Sequence, residues 1–149
     1  MYFTLLFLSL LVICTIITST LAIKKYYKNL EYQACRDKSQ SLINKGQYEA
    51  AIPYLREAVR IDPKSIASLS ELGKSLVISG HIDEGINILY QATHASSGFP
   101  STYFYLGQAL QKKRQMVEAR NAWKKVIEID GEGPWGKQAK SQLDQLFKH

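Results

Sequence analysis

The chain repeats itself at an interval of 34 residues. Leu72 and Gly73 recur as Leu106 and Gly107, Leu76 as Leu110, Leu89 as Trp123, and Ala92 as Val126. One interval earlier, Leu42 stands under Leu76, Gly46 under Gly80, Ala51 under Gly85, Leu55 under Leu89 and Ala58 under Ala92. Three in-phase copies result, at about 32–65, 66–99 and 100–133. A period of this length marks stacked helical hairpins, each able to bury its apolar face only against its neighbours. The expected fold is therefore all-α: a solenoid of three hairpins.

The columns of the repeat have the chemistry that helix pairs need, because two helices approach to about 8–10 Å only where the intervening side chains are small. Ser39, Gly73 and Gly107 align in the first helices, and Ala51, Gly85 and Ala119 in the second. Large columns surround these notches: Cys35, Leu69 and Tyr103; Leu42, Leu76 and Leu110; Leu55, Leu89 and Trp123. These predict the core. Gly46 and Gly80 fall where the first helix should close in a left-handed residue, which costs glycine little. Arg114 takes that place in the third copy, so its turn is expected to be strained or differently shaped. Pro53 lies inside a second helix and should bend it slightly, being close to the start.

The pattern resembles the tetratricopeptide repeat. The likeness is fullest in the first copy, where Gly46, Tyr48, Ala51, Leu55, Ala58 and Pro63 all stand in family positions. The later copies keep Leu-Gly but have Ser97 and Gly131 in place of the final proline. The resemblance implies an array whose first helices line a concave groove that binds other polypeptides. By the family's geometry, the groove residues most suited to a partner would be Arg36, Gln40, Lys74, Val77, Ile78, Phe104, Gln108 and Lys112. The wider set of groove positions mixes apolar area with amide and cationic donors and contains no carboxylate, which suits an extended peptide or helix with acidic and apolar side chains. Some members of the family grip a C-terminal carboxylate through paired Lys and Asn residues. Here Glu71 replaces one Asn, and Ser101 and Tyr105 replace later cations, so that clamp is not expected. After Pro134, a last helix over 135–147 can lay Trp135, Ala139, Leu143, Leu146 and Phe147 across the open end as a cap.

Residues 1–23 carry no charged side chain and, at about 1.5 Å per residue, are long enough to cross a hydrocarbon layer of roughly 30 Å. Lys24, Lys25 and Lys28 follow at once, with Tyr26 and Tyr27 between them, as in the belt where cations and phenols meet lipid headgroups. The expected layout is a transmembrane anchor over 1–23, a basic juxtamembrane segment over 24–31, the repeats over 32–133 and a capping helix over 134–149. Positive charge after the span places the array on the cytoplasmic or stromal side. A cleaved signal peptide fits less well: the flank before the span has no Lys or Arg, the apolar run is too long, and the charge lies on the wrong side. Cys14 would sit in lipid and Cys35 in the core, so no disulfide is expected.

Catalytic readings fail on context. The stretch 131–137 imitates both a G-x-G-x-x-G fingerprint and the start of a phosphate loop, but a helix precedes it and Gln138 follows the lysine where Ser or Thr would hold magnesium. His81, His94 and His149 have no metal-ligand spacing. Neither an enzyme, a metal nor a cofactor is expected. Net charge of +6 is partly in the Lys112-Lys113-Arg114 run, which reads as a solvated helix end complementing its dipole; nucleic-acid binding has no other support. In layout the chain is similar to the small membrane-bound tetratricopeptide proteins that assist photosystem I assembly in cyanobacteria and red-lineage plastids. That likeness implies a thylakoid scaffold whose array faces the stroma and holds photosystem subunits or intermediates. The alternative is a bacterial inner-membrane adaptor for secretion, pilus or envelope assembly.

Overall fold

The structure, a computed structural model, describes residues 2–96 and 98–146, with side chains described from Leu10 onward. Ser97, Phe147 and His149, named above, lie outside the described residues. Among the described residues seven helices follow one another: α1 (Tyr2–Asn44), α2 (Tyr48–Ile61), α3 (Ile66–Ile78), α4 (Ile82–Ala95), α5 (Pro100–Lys112), α6 (Met116–Asp130) and α7 (Pro134–Leu146). Each packs on the next in sequence, and α3 also packs on α5, and α5 on α7. Comparable packing does not link the even-numbered helices. The odd-numbered layer is therefore the tighter, inner one, and the array is concave on that side.

The first helix is longer than a repeat needs. α1 runs unbroken for 43 residues from the apolar stretch through the basic segment and into the first hairpin. No Gly or Pro occurs before Gly46, so nothing in the backbone interrupts it. It is the one helix among the described residues long and apolar enough to cross a membrane, and its apolar window is not buried against the rest of the chain.

The hairpins close as the columns predict. Leu55, Leu69, Leu76, Leu89, Leu110 and Trp123 are buried. A Cβ added to Gly73 would stand 2.6 Å from Leu89 Cγ, and one on Gly107 would stand 2.7 Å from Trp123 Cδ1, so each glycine is the notch for the large residue facing it. Cys35, Leu42 and Tyr103 depart from expectation, being only half-buried. Cys35 lies near Glu57 and Arg60 at the rim of α2, and burial is the main cause that raises its thiol pKa.

All three first turns have one shape. Gln47, His81 and Gln115 donate their backbone N–H to the carbonyls of Leu42, Leu76 and Leu110 at 2.8–2.9 Å, the six-to-one bond of a Schellman closure. The residue before each is left-handed: Gly46 at φ 73°, Gly80 at φ 94° and Arg114 at φ 63°. The third turn is thus not reshaped. Arg114 is forced into a conformation that disfavours a Cβ by about 1–2 kcal/mol.

The ends of the hairpins alternate between two edges of the array. The turns after the even helices, near Asp62, Gly98 and Gly131, lie on the edge from which α1 emerges; the turns at Gly46, Gly80 and Arg114 lie on the opposite edge. The Lys112-Lys113-Arg114 run is consequently on the edge away from the apolar end of α1. Lys113 pairs with Asp83 at 2.7 Å.

Candidate functional site: the concave face

The inner helices bring three segments together around Lys74. Its Nζ lies 5.8 Å from the centre of the Tyr48 ring and 5.4 Å from that of Tyr105, and 3.6 Å from Glu71 Oε2. α3 presents the lysine, the start of α2 presents one ring and the middle of α5 the other. An ammonium over ring faces is held by their quadrupoles, here with only 19% of the side chain exposed. Glu71 Oε2 is buried without a hydrogen bond, leaving an acceptor unsatisfied beside the cation. Tyr105 is half-buried; burial raises its phenol pKa, and the Lys74 charge pulls it partly back. The centre of the groove therefore offers one cation between two aromatic walls, with a buried carboxylate oxygen beside it.

The other expected residues divide into three groups. Gln40 and Ile78 are exposed, with Gln40 Nε2 donating to Asn44 Oδ1 at 2.9 Å. Arg36 and Gln108 are half-buried, the Arg36 guanidinium standing 5.9 Å from the Tyr32 ring centre. Lys112 is exposed, and its Nζ reaches back to donate to the Val77 carbonyl at 3.4 Å. Val77 and Phe104 correct the expectation that they face a ligand: both are buried. Val77 Cγ2 fills the space above Gly85, where a Cβ would come within 2.6 Å. Phe104 is covered by Trp135 of α7, their ring centres 5.4 Å apart, and its carbonyl accepts from Trp123 Nε1 at 3.3 Å.

Two further readings change. The groove is not free of carboxylate, since Glu71 stands beside Lys74. Of Tyr90, Tyr103 and Tyr105, which by sequence suit either a second surface outside the groove or core positions with a wet hydroxyl, Tyr105 does not belong to such a surface but stacks edge-on with Trp135 at 5.9 Å. Tyr90 and Tyr103 do line such a surface, a shallow cavity of about 280 Å³ with Leu106, Leu110, Ala122 and Lys125. Glu71 and Tyr105 share one column of the 34-residue repeat and were read only as departures from the carboxylate clamp, so their meeting with Lys74 and Tyr48 was missed. The aromatic at the start of α2 was visible only as a family residue.

The mimic of a phosphate loop has a different use. Asp130 Oδ2 accepts from the backbone N–H groups of Trp135 at 2.8 Å and Gly136 at 2.9 Å. A carboxylate already occupies the α7 N-terminus where an anion would bind. Gly136 packs so closely on the Gly131 carbonyl that a side chain there would collide with backbone. The glycines seat the capping helix. Among the described residues no group of three His, Cys, Asp or Glu could hold a metal ion.

Comparison with known proteins agrees with this geometry. Residues 32–65 match the family model of the tetratricopeptide repeat. No curated protein matches the chain. The crystal structure of MamA protein is similar at a TM-score of 0.62 and 21% identity, over 67% of this chain and 55% of that one, so the chain spans about half of it. The type III secretion chaperone SycD of Yersinia enterocolitica, in complex with a peptide of the translocator YopD, aligns at 0.69 and 16% identity over 78% of this chain and 88% of that one. The first tetratricopeptide domain of Spaghetti (RPAP3), bound to the HSP90 peptide SRMEEVD, aligns at 0.72 and 14% over 79% and 94%. The chain carries a tetratricopeptide repeat at 32–65, and its array has the fold of such proteins.

Proposed function

We propose that this chain is a membrane-tethered adaptor that captures another polypeptide on the concave face of its array and acts by binding rather than by chemistry. The observation that carries the reading is the Lys74 centre, where a cation, an unsatisfied carboxylate oxygen and two aromatic rings converge between exposed Gln40 and Ile78. Such a surface suits an extended segment or helix with apolar residues and an acidic group for Lys74. Arg36, Gln108 and Lys112 extend it to either side. The apolar half of α1 supplies the tether, with the array on the cytoplasmic side of the membrane.

The finer assignment is an inner-membrane adaptor for secretion, pilus or envelope assembly. Support comes from the fold shared with a secretion chaperone that holds a translocator peptide. A second reading, photosystem I assembly at a thylakoid membrane, is favoured by the layout of a single anchor, three hairpins and a cap.

Photo-crosslinking from position Ile78 in the native membrane tests both. An adaptor gives a defined adduct, lost in the Lys74→Glu variant while membrane retention is unchanged. Secretion or envelope components in that adduct support the first assignment and chlorophyll proteins the second. Adducts equally strong from Lys74→Glu would remove the groove from the function.

A further inference from the structure

A cleft of about 610 Å³ opens where α1 leaves its apolar stretch, well away from the groove. Ala22, Lys25, Tyr26, Lys28, Asn29 and Tyr32 line it from α1, and Ile61 and Asp62 close it from the end of α2. We propose that this cleft holds the headgroup of one phospholipid, a singly anionic phosphodiester bearing hydrogen-bond donors, and thereby fixes how the array is turned on its anchor. The proposal rests on the membrane-anchored reading of α1.

Position selects a lipid. At about 1.5 Å per residue, Lys25 and Lys28 lie about 3 and 7 Å beyond Ile23, within the headgroup layer, about 5–8 Å deep, that borders the hydrocarbon. Tyr32 and the α2–α3 turn stand about 13 Å beyond Ile23, just above that layer. Small Ala22 leaves room on the apolar side for the glycerol backbone of the lipid. Tyr32 is locked, its hydroxyl bonded to Ser65 Oγ at 2.7 Å and Ser68 Oγ at 3.0 Å, so the wall behind the headgroup is rigid.

Charge selects the headgroup. Among the described residues, Lys25 and Lys28 have no carboxylate within 4.0 Å, whereas Lys74, Lys113, Lys125 and Lys140 each have one. Two lysines facing one carboxylate leave a single positive charge in the cleft, which one phosphodiester neutralises. Asp62 stands on the far wall; its Oδ1 accepts from the Lys64 N–H at 3.2 Å, which anchors the carboxylate in the turn. That wall repels a second anion and attracts donors such as the hydroxyls of phosphoglycerol, while the Asn29 amide can both donate and accept. A choline headgroup has the same phosphodiester, but its own quaternary ammonium cancels the negative charge that the two lysines select.

The test uses the full chain in mixed micelles with equimolar phosphatidylglycerol and phosphatidylcholine, read by native mass spectrometry. A parallel sample in vesicles is extracted at alkaline pH. The expected result is one retained phosphatidylglycerol. At about 1 kcal/mol per basic residue near a lipid surface, each of Lys25→Gln and Lys28→Gln should lower its retention about 5-fold. Lys24→Gln adjoins the same lipid but does not line the cleft, so it should change little, and Lys25→Gln with Lys28→Gln should together erase the preference over choline. Equal retention of both lipids, or equal effects of Lys24→Gln and Lys25→Gln, in a chain that resists extraction would overturn the cleft and leave the anchor. Release of the chain by alkali would overturn both. Lysine-dependent binding of free glycerol 3-phosphate at comparable strength would show a solute site and overturn the lipid assignment.

Discussion

The apolar half of α1 and the array it enters are both helical, yet they are specified in different ways. In the first, nearly every described side chain is exposed, from Leu10 at 61% to Ile23 at 55%, with no face preferred. Its polar residues look after themselves: Thr15, Thr18, Ser19 and Thr20 donate to carbonyls three residues back at 2.8–3.0 Å. Composition alone suffices there, because lipid asks only that polar groups be satisfied within the segment. In the array, Ile43, Leu76 and Trp123 are buried at fixed positions within the core clusters, and a shift by one residue would lose them. The anchor is coded by content and the array by register.

The largest effect that separates the two codes is a core truncation. Ile43→Ala, in the packed end of α1, should cost about 2–5 kcal/mol of array stability, read as an earlier denaturant midpoint, while Ile16→Ala should leave that midpoint alone. The reverse experiment places a charge in the anchor. Ile16→Lys should cost about 2.5–3.5 kcal/mol of membrane insertion and release the chain on alkaline extraction, with the array melting as before. Permuting the order of residues 10–22 should change neither property. Loss of anchoring on permutation would mean that the anchor, too, depends on register.

Register also predicts where a substitution overpacks or relieves. Gly107→Leu should drive a side chain into Trp123 and cost about 1–3 kcal/mol. Arg114→Gly should do the opposite, since the left-handed φ of 63° suits glycine, gaining about 1 kcal/mol in thermal unfolding. No gain would mean that the Arg114 side chain supplies compensating contacts.

The difference in coding explains what the amino-acid order revealed. Helices, notches and most core columns were legible because three copies report the same position three times. The continuity of α1 was not read, because the basic run invited a boundary at 24–31, although no Gly or Pro occurs before Gly46. The groove was read less well. Val77 and Phe104 hold positions that face ligands in the family, but here Gly85 leaves a hollow that Val77 fills, and Trp135 covers Phe104 from the cap. Those neighbours lie 8 and 31 residues away, with no shared column to announce them. Lys74 was found by its family position, yet its ring partners and Glu71 meet only through the stacking of α2, α3 and α5.

The smallest expected effect probes that meeting point directly. Burial raises the Tyr105 phenol above its ordinary value and Lys74 opposes this, so Lys74→Met should move the phenol further up. The sign follows from which form each neighbour favours: a nearby cation stabilises phenolate, and its removal leaves desolvation unopposed. A phenol raised in the folded state favours folding fully below its unfolded pKa, and that contribution fades as pH climbs through the folded value. Array stability should therefore fall on the alkaline side from the unfolded pKa upward, and in Lys74→Met the fall should start at the same pH but run to higher pH and be larger. Titration of Tyr105 by site-labelled NMR, alongside melts across the same range, reads both quantities. A Tyr105 pKa unmoved by Lys74→Met would detach the lysine from the ring and dissolve the register-built centre on which the groove depends.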